Sequence, residues 1–441
     1  MKKKQRQYGS VFELNGIPGF SQLFPLSLQH LVAMIVGCVT PALIVSGEAG
    51  LGQIDRVMLV QASLVIAAIS TIIQVFPIAG KLGSGLPMIL GVSFAYLPTL
   101  QAIAGSYDIA TILGAQLIGG ICAIVVGIFV KKLRILFPPL ITGTVVFTIG
   151  LSLYPTAVNY MAGGKGSDTY GSWKNWLVAI FTLVVVTVLN HFCKGIFKLA
   201  SILFGIIAGY LAALCLGMID FAGVGEAGIL QMPGVMHFGM KFEFSSIVAM
   251  SILFVINSVQ AIGDFTATTT GGLDREPTDT ELQGGIVAYG VTNILGSFLG
   301  GLSTATYSQN VGIVATTKVV NRMVFGLTAV LMLFAGVIPK FSALLTTIPQ
   351  CVLGGATISV FASIAMTGLR LIFQEPMNYR SSSIVGLSVA LGMGLTQVSD
   401  SLAKFPSWVD TIFGKSPVVL ATLAAILLNQ VLPRKKDGEQ Q

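Results

Sequence analysis

Charge is what this sequence has least of. Only 10% of its 441 residues are Asp, Glu, Lys or Arg, against 54% hydrophobic. A soluble fold of this length needs a charged surface, so the composition excludes one and indicates a polytopic membrane protein. Cysteine and histidine are also sparse, at five and three residues. Cys38, Cys122, Cys193, Cys215 and Cys351 fall within or at the ends of apolar segments, with no CxxC and no paired spacing. They indicate neither a disulfide framework nor a metal site. His30, His191 and His237 are too scattered for a Ser-His-Asp arrangement, and there is no Walker loop. An enzyme is therefore not expected, and neither is a cofactor. A cleavable leader is not expected either: the basic start runs into polar residues and Glu13 rather than into an apolar stretch.

The charges that remain inform by position. Apolar runs of about 20 residues number about fourteen, two of them interrupted. An even number puts both termini on one side. The tails Lys2-Lys3-Lys4-Arg6 and Arg434-Lys435-Lys436 are basic, which predicts that side to be the cytoplasm. In that orientation 18 of the 25 Lys and Arg lie inside and 7 outside. The net charge of +7 then reflects topology and gives no argument for nucleic acid.

The interruptions organise the chain. Residues 301–318 sit among apolar segments, yet Thr304 and Thr306 favour extended backbone and Gly312 opens an apolar run. We read a short extended piece leading into a half-helix, with Ser308 or Asn310 as its cap. Inside a bilayer such a break is tolerated only where protein buries it or it lines a cavity. The alternative is a polar loop at the membrane surface. Residues 83–98 repeat the pattern, with Gly83 and Gly85 before Pro87, then Pro98, and Ser93 placed to cap the following helix. Each half has about seven segments, the third broken in each (segments 3 and 10). The fifth opens with Phe137-Pro-Pro-Leu-Ile-Thr-Gly143 in one half and Ile348-Pro-Gln-Cys-Val-Leu-Gly354 in the other. Seven is odd, so the halves are expected to be inverted. Paired broken segments then mark the substrate site.

Few polar residues lie deep in the spans. Of 18 acidic residues only Asp264 does. A charged Asp at a helix centre costs about 2.5–3.5 kcal/mol on insertion scales, so it must be protonated, paired or facing water. It is a candidate for proton coupling, or else a structural acceptor for a broken helix. Gln260, one turn earlier, shares its helix face and could contact a ligand or serve as polar glue. His30, in the first segment, could pair with Asp264 or satisfy a backbone carbonyl. Gln309 and Asn310 offer carboxamide donors and acceptors to a flat, uncharged, hydrogen-bonding ligand. Phe94, beside the first break, could stack on it.

At these residues the chain resembles the nucleobase–ascorbate transporter (nucleobase–cation symporter-2) family. Its motif is matched by Gln309, Asn310, Gly312, Thr317 and Lys318, and the Gln-Asn form is similar to the purine branch. Gln29-His30 and Gly263-Asp264-Phe-Thr-Ala-Thr are also family-like. The resemblance implies an all-α fold of fourteen segments in two inverted seven-segment repeats. It implies a cytoplasmic tail (1–22), a core domain (23–135 and 245–338), a gate domain (136–219 and 339–432), an inter-repeat loop (220–244) and a second cytoplasmic tail (433–441). It implies a homodimer in a bacterial inner membrane, importing xanthine or urate with protons, or with sodium in some relatives. Gln260, Gln309, Asn310, Phe94, Ser93 and Ser308 would bind the base, and Asp264 and His30 would serve coupling. Two positions depart from the family: Gln260 stands for its usual Glu, and Tyr289 for an Asp common in the purine branch. Uracil or ascorbate-like substrates, and an anion carrier of the related sulfate-transporter fold, are the alternatives.

Overall fold

The computed structural model describes residues 10–433 apart from 131–137, 222–223, 226–227, 229, 407–408 and 415. The basic tails, Lys131, Lys132, Arg134 and Phe137, which carried expectations above, lie outside the described residues. The chain is mostly helix. The first half holds α1 (Phe20–Glu48), α2 (Gln53–Val75), β1 (Leu90–Val92), α3 (Leu97–Ser106), α4 (Ile109–Ile128), α5 (Pro139–Ser152), α6 (Tyr154–Met161), α7 (Trp173–Phe192), the short α8 (Ile196–Leu199) and α9 (Ser201–Cys215). The second holds α10 (Phe244–Leu273), α11 (Asp279–Leu299), β2 (Thr304–Thr306), α12 (Ser308–Thr317), α13 (Arg322–Val337), α14 (Pro339–Thr346), α15 (Gln350–Ile372), α16 (Tyr379–Gln397) and α17 (Pro417–Val431). Among the described residues eight helices are long and apolar enough to cross a membrane, or nine if α13 and α14, bent by 78°, form one span. This is an integral membrane protein.

Polar residues stop the apolar runs where loops begin. Asp108 caps α4 by accepting from the Thr111 amide at 2.9 Å, and Glu243 caps α10 at the Ser246 amide at 2.8 Å. Thr278 and Glu281 form a reciprocal capping box at the start of α11. Proline opens α5, α14 and α17, where its missing N–H has no partner to lose.

The short extended pieces expected at the two breaks are present in this mostly helical fold. The extended pieces pair as a two-stranded antiparallel sheet, Leu90 opposite Thr306, Gly91 opposite Ala305 and Val92 opposite Thr304. Such a sheet has two open edges, which cannot be left unpaired away from water. Side chains from neighbouring helices close them. Thr71 of α2 donates to the Leu90 carbonyl at 3.0 Å and accepts from its amide at 3.1 Å. Asn293 of α11 donates to the Thr304 carbonyl at 3.2 Å and accepts from its amide at 2.8 Å. Gln116 of α4 holds the approach to β2 through the Gly301 carbonyl at 3.0 Å and the Ser303 hydroxyl at 2.9 Å. Close packing here also requires Gly91, whose side chain would sit 2.4 Å from the Cys38 sulfur and 2.8 Å from the Tyr307 ring.

α4 packs on α10 and α11, and α1 and α2 on α13, around this sheet. α5, α7 and α9 pack on α15, and α16 on α17. The α5–α15 contact is backbone on backbone: a Cβ on Gly368 would lie 2.2 Å from the Phe147 nitrogen, and one on Gly143 2.7 Å from the Ile372 nitrogen. Small residues let membrane helices approach this closely. Gly368→Leu is expected to cost about 1–3 kcal/mol or more through forced helix separation. It should appear as a lower melting temperature and folded yield in detergent. Gly386→Ala, whose Cβ would meet nothing within 4 Å, should hold or gain stability.

Candidate functional site

The two breaks meet α5 and α15 at a cavity of about 220 Å³. Ser93, Phe94 and Ala95 line it from the first break, and Thr306, Tyr307, Ser308 and Gln309 from the second. Gln260 enters from α10, Val146 and Ile149 from α5, and Ser363, Ile364 and Thr367 from α15. Three larger openings measure about 890, 720 and 480 Å³. None of the predicted site residues lines any of them.

Four of the predicted site residues combine to make one surface. Gln260 and Gln309 both line the cavity, and neither carboxamide has a hydrogen-bond partner among the described residues. The Phe94 ring lies edge-on to Phe361, with centroids 5.3 Å apart and planes at 77°. That contact fixes the ring beside the cavity. Ser93 accepts from the Ala95 amide at 3.2 Å through its hydroxyl, and its own amide donates to the Ser303 carbonyl at 3.2 Å. Ser308, the fifth predicted contact to line the cavity, turns its hydroxyl to Asp264 at 2.9 Å.

Asp264 and Asn310 are not among the lining residues. Both Asp264 oxygens accept hydroxyls, one from Thr306 and the other from Ser308. The carboxyl thus ties α10 to the end of β2 and the start of α12. Neither alternative for His30, a pair with Asp264 or a bond to a backbone carbonyl, is found among the described residues. His30 instead packs its ring on Phe325, centroids 4.6 Å apart, and its Nδ1 has no partner among the described residues. Its carbonyl oxygen accepts from the Asn310 amide group at 3.4 Å, so Asn310 braces α12 against α1. The expected caps are also corrected. Tyr307 occupies the N-cap of α12 and Tyr96 that of α3, neither with a side-chain cap bond, while Ser308 and Asn310 lie within the helix. Their side-chain donors go to the Asp264 carboxylate and the His30 carbonyl, and the Asn310 Oδ1 that a cap would use has no partner among the described residues.

The rest of the motif terminates α12. Thr317 donates to the Ile313 carbonyl at 2.8 Å, and Lys318 adopts a left-handed backbone with its ammonium 3.0 Å from Asp274. A Cβ on Gly312 would meet nothing within 4 Å. Tyr289 is buried away from the cavity, its hydroxyl bonded to that of Tyr96. Sequence reasoning missed Thr306, Tyr307 and the α15 residues. Thr306 and Tyr307 lay inside the stretch already singled out, and Ser363 and Thr367 are spaced one turn apart in an apolar run. Tyr307 holds β1 by donating to the Val92 carbonyl at 2.6 Å, and accepts from Cys38 at 3.4 Å.

Residues 21–401 match a family model described as Permease family. The chain belongs to this family. Among characterised permeases it is 33% identical over 429 residues to a xanthine permease of Bacillus subtilis, covering 96% of this chain and 97% of that one. It is likewise 33% identical to the uric acid permease PucK of the same organism, covering 95% and 97%. Xanthine permease XanQ of Escherichia coli is 31% identical over 440 residues, covering 96% and 94%. These relatives are purine permeases of the kind to which the Gln309-Asn310 motif pointed; the permease is a transporter, not an enzyme. Its fold is similar to the transmembrane domain of the cyanobacterial bicarbonate transporter BicA, with a TM-score of 0.57 at 14% identity over 93% of this chain and 98% of that one. It is also similar to the murine anion transporter Slc26a9 in its inward-facing state, with a TM-score of 0.62 at 11% identity over 98% and 69%.

Proposed function

We propose that this permease imports an oxopurine, xanthine or urate, by proton symport with alternating access. One observation carries the reading: two unpartnered carboxamides, Gln260 and Gln309, share a small cavity with the Phe94 ring. A planar base has a polar edge for the amides and a face for the ring. The volume is below the roughly 300–1,000 Å³ of drug-sized sites and suits a small heterocycle. The activities named for the relatives support the same substrate class.

In this reading the helices form fourteen segments in two inverted repeats. A core (segments 1–4 and 8–11) carries Ser93, Phe94, Gln260, Ser308 and Gln309. A gate (segments 5–7 and 12–14) supplies Val146, Ile149 and Ser363. Movement of core against gate would expose the cavity to each side in turn, as transporters built from repeats do. Asn310 and His30 would brace the moving core, and Asp264 would exchange the proton. The protein works as a homodimer in the bacterial inner membrane with both termini in the cytoplasm. Radiolabelled uptake into proteoliposomes tests this, with xanthine, urate, uracil, hypoxanthine and ascorbate offered with and without an inward proton gradient. Gradient-dependent accumulation of xanthine or urate is expected. Accumulation of uracil alone, or uptake indifferent to the gradient, would reject it.

A further inference from the structure

We infer that the opening of about 720 Å³ is the outer mouth of the base's path, held shut above the cavity by three uncharged hydrogen bonds between core and gate. Under the proposed movement of core against gate, on which this assignment rests, these are the contacts that must part for the base to enter. In the proposed orientation α1 starts on the cytoplasmic side, so Glu48 at its far end is on the outer side, and Glu48 lines the mouth.

The mouth and the cavity lie on one track. On α5, Ile149 lines the cavity and Ser152, one turn on, lines the mouth. At the first break Ala95 lines the cavity, and Pro98, at the start of α3, lines the mouth. One helical turn rises about 5 Å, so the partition between the two spaces is thin. Leu97 and Leu153, both fully buried, stand at its level. The opening of about 890 Å³ has no such neighbour. Along α15 its lining ends at Cys351, more than three turns from Ser363 of the cavity.

Core and gate are joined across this partition. Thr99 of α3 and Ser416, just before α17, share a buried hydrogen bond at 2.9 Å. Each adjoins a proline that lines the mouth, Pro98 and Pro417, so the bond sits at its floor. The Thr156 hydroxyl of α6 donates to Gln101 Oε1 of α3 at 3.2 Å, and the Tyr160 hydroxyl of α6 to the Ile44 carbonyl of α1 at 3.3 Å. Gln101, Thr156 and Tyr160 themselves line the mouth. With no charge in any of the three, each shifts a two-state balance by about three- to tenfold. Together they favour the shut state, and water entering the mouth can replace each bond as it parts.

Cross-linking and labelling test the latch. The Thr99 and Ser416 hydroxyls meet at 2.9 Å, so Thr99→Cys with Ser416→Cys can be bridged after a small shift. Oxidation is expected to lower uptake of xanthine or urate into proteoliposomes at least about tenfold, and reductant to restore it. Equilibrium binding of the same base to the oxidised, purified full-length protein should change less than about threefold, because the cavity lies a turn below. Tyr160→Phe with Thr156→Val removes two latch donors and keeps their bulk. In that background an impermeant thiol reagent, applied to right-side-out vesicles, should label Leu97→Cys at least about threefold faster than with the latch intact, read at that residue by mass spectrometry. Bridged protein with unchanged uptake overturns the inference, and so does loss of binding along with uptake, or an unchanged labelling rate. If the cysteine pair does not bridge, the labelling rate decides alone; if Leu97→Cys does not fold, the bridge does. Failure of the wild-type protein to bind or accumulate any base would instead reject the nucleobase reading, and the labelling comparison would still decide the mouth.

Discussion

Asp264→Asn is expected to abolish accumulation of base driven by a proton gradient, while exchange of labelled for unlabelled base continues. The reason lies in what the substitution keeps. Asp264 accepts hydroxyls from Ser308 and Thr306, and so ties α10 to the second break. Asparagine retains one acceptor oxygen. Its NH2 group faces the other hydroxyl, which can rotate to accept. The net loss is about one hydrogen bond, ~1 kcal/mol, so the cavity keeps its shape. What asparagine cannot do is bind and release a proton. Among the described residues Asp264 is the one carboxyl deep within a span, so the cycle has few other places to hold one. Counterflow and gradient-driven uptake in the same proteoliposomes separate the two activities. Unchanged gradient-driven uptake would remove Asp264 as carrier and leave it as a tie between helices. His30, whose Nδ1 is buried without a partner, would then be the next residue to test.

Gln309→Ala should weaken base binding about ten- to a hundredfold, the loss of roughly 1–3 kcal/mol that follows when a buried polar edge is left unpaired. The carboxamide bonds to nothing else among the described residues, so its removal breaks no internal contact. Melting temperature and yield should therefore change much less than affinity. Asn310→Ala should do the reverse. Its side chain reaches the His30 carbonyl and does not line the cavity, so stability should fall with a smaller direct effect on affinity. Binding isotherms and thermal melts on both variants distinguish contact from brace. Wild-type affinity in Gln309→Ala would remove that residue from the site.

Much of this was legible in the sequence. A chain with 10% charge and 54% hydrophobic residues can only be a membrane protein. The two interrupted stretches stood out because Thr304 and Thr306, or Gly83 and Pro87, contradict a continuous helix. That both breaks meet at one cavity followed from the requirement that broken backbone be paired inside a bilayer. Gln260 and Gln309 could be named because amides in apolar segments are few and must face something polar. Deep polar residues that served only the sheet edges, such as Thr71, Gln116 and Asn293, looked no different in the sequence. Composition and spacing report that a polar group is buried, without reporting its partner.

The partner is a property of the tertiary structure. Ser308 and Asn310 had the residue types of helix caps, but the helix begins at Ser308 with Tyr307 at its N-cap, and their side chains donate instead to the Asp264 carboxylate and the His30 carbonyl. Asp264 and His30 turn to different neighbours, Asp264 to the Thr306 and Ser308 hydroxyls and His30 to the Phe325 ring. The sequence by itself determined the membrane class, the breaks, the family and the residue types of the candidate site, since each rests on hydropathy, backbone preference or a local motif. Which of those residues face the cavity and which hold it in shape was decided only by folding. That choice depends on groups hundreds of residues apart competing for the same hydrogen bonds in a place without water.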